Sequence, residues 1–240
     1  MILAAIVVLI IAIAAWAYSL KRAATNALSW PLPADAAGPG AVKVTRANYV
    51  PHSDTEFIST VDIEALPSLR YIAVFASGDG RKQSIGTKFG NTLIASCLWQ
   101  PATVSVVAVD GLGRLGPTRA FALSPKCQNP APLPVAVPVM SWPPAADSAG
   151  PAAVTSASAK IMPKVGKTHP TVVTWKALPN TPYFITLVPP EGLAPIVGIF
   201  TGSATFSHTF TPTWAPKEVI IFPFSMELGH PGPSIIVAAH

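Results

Sequence analysis

Hydrophobic positions along this chain fall into one long run and then into many short ones. Met1 to Leu20 reads MILAAIVVLIIAIAAWAYSL, with no charged side chain before Lys21 and Arg22. A helix of that length, rising about 1.5 Å per residue, spans about 30 Å, the thickness of a bilayer's hydrocarbon. The pattern predicts a transmembrane anchor over residues 1–22. Ile2, Leu3, Ile6, Val7, Leu9, Ile10 and Ile13 make its apolar body, Trp16 and Tyr18 mark the headgroup level, and Lys21 and Arg22 end the span. A cleaved signal peptide is the main competing reading, because Ala15-Trp16-Ala17 resembles a cleavage site, but the basic leading region is missing. A pilin-type helix would need a processing site before the run and an acidic residue inside it. With Lys21, Arg22, Lys43 and Arg46 all on the C-terminal side, the positive-inside rule places the bulk of the chain in the cytoplasm.

Past the anchor the period changes to two. Phe57 to Ile63 alternates, and Tyr71 to Phe75, Leu93 to Trp99, Val104 to Val109 and Arg119 to Leu123 follow as short apolar runs. Gly, Pro and Asp clusters separate them at roughly 8–12-residue spacing, the signature of a β-sandwich. Residues 23–40 and 126–151 show no periodicity, the first rich in Pro and Gly and the second in Pro. They read as a kinked stalk and an extended linker, bracketing one sandwich at 41–125 and leaving a second at 152–240.

The second half repeats the plan of the first. Ala177-Leu178-Pro179 matches Ala65-Leu66-Pro67, 112 positions earlier, and Tyr183 to Val188 matches the Tyr71 run. Ala204 to Phe210, Glu218 to Phe222 and Ile235 to Val237 match the later strands in order, which indicates a duplicated domain. Within the first copy, Val104 to Pro117 resembles the penultimate strand, turn and last strand of fibronectin type III domains. In the second, Val173-Thr174-Trp175 resembles that family's early strand with its core tryptophan. The first copy has no tryptophan at the matching place, and neither has a tyrosine in the penultimate strand. The resemblance implies a spacer or binding module. The fold class expected is therefore mainly β: two tandem β-sandwich domains, fibronectin type III-like, behind one N-terminal transmembrane helix.

Only 11% of residues are charged, so each small sandwich must expose neutral or apolar surface, and Gly198 to Phe210 is expected to lie against other chains. Net charge is +5, from 16 basic and 11 acidic residues spread along the chain. The tightest groups, Arg81/Lys82/Lys88 and Lys160/Lys164/Lys167, lack the interleaved aromatics of a nucleic-acid platform, so no specific nucleic-acid binding is expected. Cys97 and Cys127 allow two readings, a single disulfide in an oxidising compartment or two separate thiols.

Candidate chemistry is sparse. Gly111-Leu112-Gly113-Arg114-Leu115-Gly116 has dinucleotide-fingerprint spacing, but a β run follows it where a helix is required, so it reads as a hairpin turn. His52, His169, His208, His230 and His240 show no ligand spacing. His208 is expected on the outer face of a strand, between inward Phe206 and Phe210. Trp99, Trp142, Trp175 and Trp214 could serve as ligand platforms. Trp175 is more simply a core residue, and Trp142 either packs on a domain or docks a partner. No catalytic, cofactor or metal site is nominated.

Two functions fit. The first is a non-enzymatic structural protein tying a lipid membrane to a larger protein assembly. Its layout resembles the minor membrane-anchored proteins of bacteriophages with an internal membrane, placing it in the virion's internal membrane with the sandwiches facing the capsid. The second is a cell-envelope adhesion or scaffold module with outward-facing sandwiches.

Overall fold

The structure, a computed structural model, describes residues 28–126, 131–225 and 229–240. The expected anchor (residues 1–22) and Cys127 lie outside the described residues. Among those described, no helix is long and apolar enough to cross a membrane.

The described chain is mainly β. A short strand, β1 (Leu28–Trp30), precedes seven strands: β2 (Val44–Pro51), β3 (Phe57–Ile63), β4 (Arg70–Ala76), β5 (Gln83–Phe89), β6 (Thr92–Cys97), β7 (Thr103–Val109) and β8 (Arg119–Ala122). Two short pieces, β9 (Ser124–Pro125) and β10 (Pro134–Val135), and then β11 (Met140–Trp142) lead into the second half. That half comprises β12 (Ala157–Ile161), β13 (Thr171–Val188), β14 (Ile196–Phe210), β15 (Glu218–Pro223) and β16 (Ile235–Ala238).

In the first repeat β2, β3 and β6 form one layer and β5, β4, β7 and β8 the other, with β5 also pairing β6 at the corner. Between the layers lies a core that includes Val61, Tyr71, Phe75, Leu93, Cys97, Val104 and Val106. Three strands facing four is the arrangement of a fibronectin type III-like sandwich.

The second repeat has the same order drawn with fewer breaks. Residues 171–177 of β13 pair with β12 and with residues 204–210 of β14, and residues 181–188 of β13 pair with residues 196–202 of β14 and with β15, beside which lies β16. Each long strand thus crosses from one layer to the other. The crossing in β13 falls at Ala177-Leu178-Pro179-Asn180, where the register shifts and Asn180 takes φ 54°, a left-handed conformation that Asn tolerates. Each repeat is also closed at the side by a parallel contact between its first strand and its last segment, Asn48 with Ser124 and Ala159 with Ala239. Such closure removes the free edges through which sheets pair with other chains.

The duplication reaches individual hydrogen bonds. Leu66 N donates to the Tyr71 hydroxyl at 2.7 Å, and Leu178 N to the Tyr183 hydroxyl at 2.5 Å. In both copies a tyrosine five residues beyond the leucine holds the Ala-Leu-Pro segment.

The Pro-rich stretches differ from the stalk and linker expected. β1 and β11 pair with each other, and Trp30, Leu32, Met140 and Trp142 are buried. Large apolar side chains among the prolines offer more burial than an extended solvated segment could, so the described parts of both stretches fold back onto the sandwiches. Both Trp-Pro bonds, Trp30-Pro31 and Trp142-Pro143, are cis. His208 also differs from expectation. Residues 206, 208 and 210 share one face because strand side chains alternate, so His208 turns the same way as its two phenylalanines and is half-buried with them.

Candidate functional site

The junction between the repeats is built by strands buried on both faces. In β4, Tyr71, Ala73 and Phe75 face the first sandwich core while Ile72, Val74 and Ala76 face outward into another. In the second repeat Tyr183, Ile185 and Leu187 face their own core, and Phe184 and Val188 face out. The two outward faces meet. Their shared core also takes in Ile85, Val107, Ile220, Phe222, Trp30 and Trp142. Four layers therefore enclose three cores, and the middle one belongs to neither sandwich alone.

This junction has an approximate twofold axis. Ser29 opposes Ser141, Leu28 opposes Trp142 and Trp30 opposes Met140, a pairing that maps onto itself under the 112-residue repeat. Two further backbone bonds exchange in the same way, with Ile85 and Val197 112 positions apart and Gly113 and Gly229 116 apart: Ile85 N donates to Gly229 O and Val197 N to Gly113 O, each at 2.9 Å. The Pro/Gly segments dock in parallel ways. Asp35 N donates to Leu115 O at 2.9 Å and Asp147 N to Pro231 O at 2.8 Å. A Cβ on Gly38 or Gly150 would stand 2.3 or 2.2 Å from those same carbonyl oxygens, so only glycine admits the approach. The signal for all this is present in the sequence, where Ser-Trp-Pro-x-x-Ala-Asp-x-Ala-Gly-Pro occurs at 29–39 and again at 141–151. Composition masked it, because Pro- and Gly-rich stretches resemble linkers.

Symmetry is broken at the two tryptophans. Trp142 Nε1 donates to Thr186 Oγ1 at 3.1 Å, whereas the position of Thr186 in the first repeat is Val74, and Trp30 Nε1 is buried without a partner. Replacing Thr186 by Val should therefore cost about 1–3 kcal/mol by orphaning a second indole N–H. Val74→Thr should recover part of that range by giving Trp30 an acceptor. Urea unfolding of the two variants reads both, and a neutral Thr186→Val would contradict the account.

Two clefts open where the repeats meet. One, of about 290 Å³, has Tyr71, Pro182, Phe184 and Phe224 in its walls and Arg70 and Lys88 beside them. Arg70 Nη1 donates to Ile199 O at 2.8 Å, its guanidinium lies 5.9 Å from the Phe200 centroid, and Lys88 Nζ lies 5.3 Å from that of Tyr71. The other cleft, of about 230 Å³, runs between the Asp110–Gly113 turn and Phe200, His208 and Phe210. His208 sits 4.3 Å from the Phe200 ring and 4.7 Å from that of Phe210. Burial, and then the nearby Arg70 charge, lower its pKa and keep the ring neutral. The Gly111–Gly116 stretch is the turn expected, capped by Asp110, whose carboxylate accepts from Leu112 N and Arg114 N and pairs with the Arg114 side chain at 2.7 Å. Hydrogen bonds from Arg114 and Leu112 hold the Asp110 pKa down against partial burial, which by itself would raise it.

The remaining candidates are scattered. Cys97 is a free, fully buried thiol 3.5 Å from Ser59 Oγ. Burial pushes its pKa up to about 11 from 9.0. Because the unfolded chain ionises first, stability is intact below about pH 9 and should fall between pH 9 and 11, by about 2–3 kcal/mol for this group. Cys97→Ala should flatten that part of a stability–pH profile, and an unchanged slope would refute the assignment.

Trp175 is buried in the second sandwich core as expected, Trp99 and Trp214 pack half-buried at the cores' margins, and Trp142 is packed rather than free. His230 is buried with Nδ1 3.1 Å from Asp147 Oδ2, tying the 141–151 segment to the loop before β16. The lysines of both basic groups and Arg81 are exposed. Among the described residues no three His, Cys, Asp or Glu side chains converge as a metal site.

No family model matches this sequence, and no curated protein matches it. Among solved structures, a two-domain fibronectin type III segment from chicken tenascin is similar at 15% identity and a TM-score of 0.27, covering 83% of this chain and 97% of that one.

Proposed function

We propose that this chain is a non-enzymatic structural protein that links a lipid membrane to a larger protein assembly. The helix expected over Met1–Leu20 supplies the anchor, and the paired sandwiches supply a block that meets the assembly. One observation carries the reading: the repeats share a core instead of a linker, so what the anchor presents is a single unit of fixed shape. Such a unit is suited to setting a spacing between a membrane and a shell. Exposed Leu66, Leu112, Leu133, Val139 and Val165 add apolar surface for partner contact. A virion with an internal membrane beneath a capsid is the setting the layout fits, with the sandwiches facing the capsid.

Density-gradient separation of the native source, with mass spectrometry to locate the chain, tests this. Co-migration with a nucleic-acid-containing particle, at fixed ratio to a major shell protein, is expected. Recovery only with ordinary membranes would refute the virion setting and leave the envelope scaffold as the working reading.

A further inference from the structure

We propose that the cleft of about 290 Å³ at the junction binds an amphipathic anion, a short alkyl chain bearing one carboxylate. The inference goes beyond the linking role and stands on its own observations. The walls are apolar: Leu69, Pro182, Phe184 and Phe224 come from both repeats, and among the described residues no carboxylate lines the space. Such walls reject a free inorganic anion, which would lose its water without compensation. The volume is at the small end of ligand sites, which favours a single short tail.

The two cations at the cleft point to the head group. Among the described residues neither Arg70 nor Lys88 forms an ion pair. Arg70 spends one nitrogen on Ile199 O and rests against the Phe200 ring, and Lys88 rests over Tyr71. These contacts hold both side chains in place without neutralising them, so positive charge is fixed at the edge of an apolar space. The repeat makes the point sharper. The counterpart of Arg70 is Pro182 and that of Lys88 is Phe200, 112 positions on, so the charge lies on the first repeat's wall alone. A ligand entering here is therefore oriented, with its head at Arg70 and Lys88 and its tail against Phe184 and Phe224.

Titration calorimetry on the full chain in phosphatidylcholine nanodiscs tests this, with empty nanodiscs subtracted. The probes are octanoate, octanol, octylammonium and acetate. Saturable one-to-one binding of octanoate is expected, with acetate and octylammonium silent and octanol weaker by about tenfold or more, the worth of one charge-assisted contact. Arg70→Gln with Lys88→Gln should weaken octanoate by at least that factor while lowering the melting temperature by no more than about a few degrees, since both side chains are exposed. Thr201 also lines the cleft, so Thr201→Trp, which fills it and keeps both charges, should abolish binding. Absence of saturable octanoate binding would overturn the proposal. So would equal binding of octanol or octylammonium, or full affinity in either variant.

Discussion

Trp142→Ala should lower the unfolding free energy by about 3–5 kcal/mol, the range for removing a fully buried large aromatic. Trp142 has no exposed surface and sits at the meeting point of everything that joins the repeats. Its ring is 5.3 Å from Trp30, and it lies edge-on to Phe184 at 5.8 Å and Phe222 at 5.4 Å. Truncation would leave a void lined by these rings and would orphan the Thr186 hydroxyl. The rings are held by two different sheets and by the β1–β11 ribbon, so they cannot collapse inward together, and the cavity cost should stand nearly in full. Trp99→Ala, at the half-buried margin of the first sandwich, should cost clearly less. Denaturant unfolding of both variants reads the contrast. A loss under 1 kcal/mol at Trp142 would mean that the middle core contributes little.

Gly229→Ala should destabilise by about 2–5 kcal/mol, combining a left-handed backbone with overpacking. Gly229 has φ +73°, and a Cβ placed on it would stand 1.7 Å from Ile85 O, the residue whose N–H donates to the Gly229 carbonyl. The obstacle is backbone, so no rotamer change relieves it. The repeats would have to part by an ångström or more at a point where they are hydrogen-bonded. Gly113→Ala, the symmetry counterpart at φ +82°, should behave similarly because its Cβ would meet Val197 O at 2.7 Å. Gly166→Ala is the control: its φ is +59°, but open space surrounds the site, so only the conformational cost of about 1–2 kcal/mol should appear. Equal losses at Gly229 and Gly166 in thermal or urea unfolding would show that the close approach between repeats is not what matters.

Much of the fold could be read without the structure. Alternation in Phe57–Ile63 and the collinear match from Ala65-Leu66-Pro67 to Ala177-Leu178-Pro179 pointed to strands and to a duplication, and both copies do share one strand order. Strand identity depends on neighbours two residues away, so a local pattern carries it. The candidate site was far less legible. Tyr71–Ala76 and Val104–Val109 are unbroken buried runs, the mark of strands covered on both faces, but which faces cover them is set by residues far away in the sequence. Taking Phe206, His208 and Phe210 as alternating in and out was a miscount of the same period. Pro31 and Pro143 suggested linkers, while the tryptophans before them were the better guide.

By itself the sequence determined that this chain makes strands in two equivalent sets, because apolar alternation and turn residues are local properties that a segment displays alone, and a repeat at an offset of 112–116 residues shows when two segments are compared. Tertiary structure alone decided that the two sets share a third core, that Trp30 and Trp142 fill it, and that Arg70 comes to rest on Ile199 at the edge of a cleft. Those outcomes depend on which two faces exclude water from each other. That is a property of surfaces assembled from residues more than a hundred positions apart, with no counterpart in any one stretch of chain.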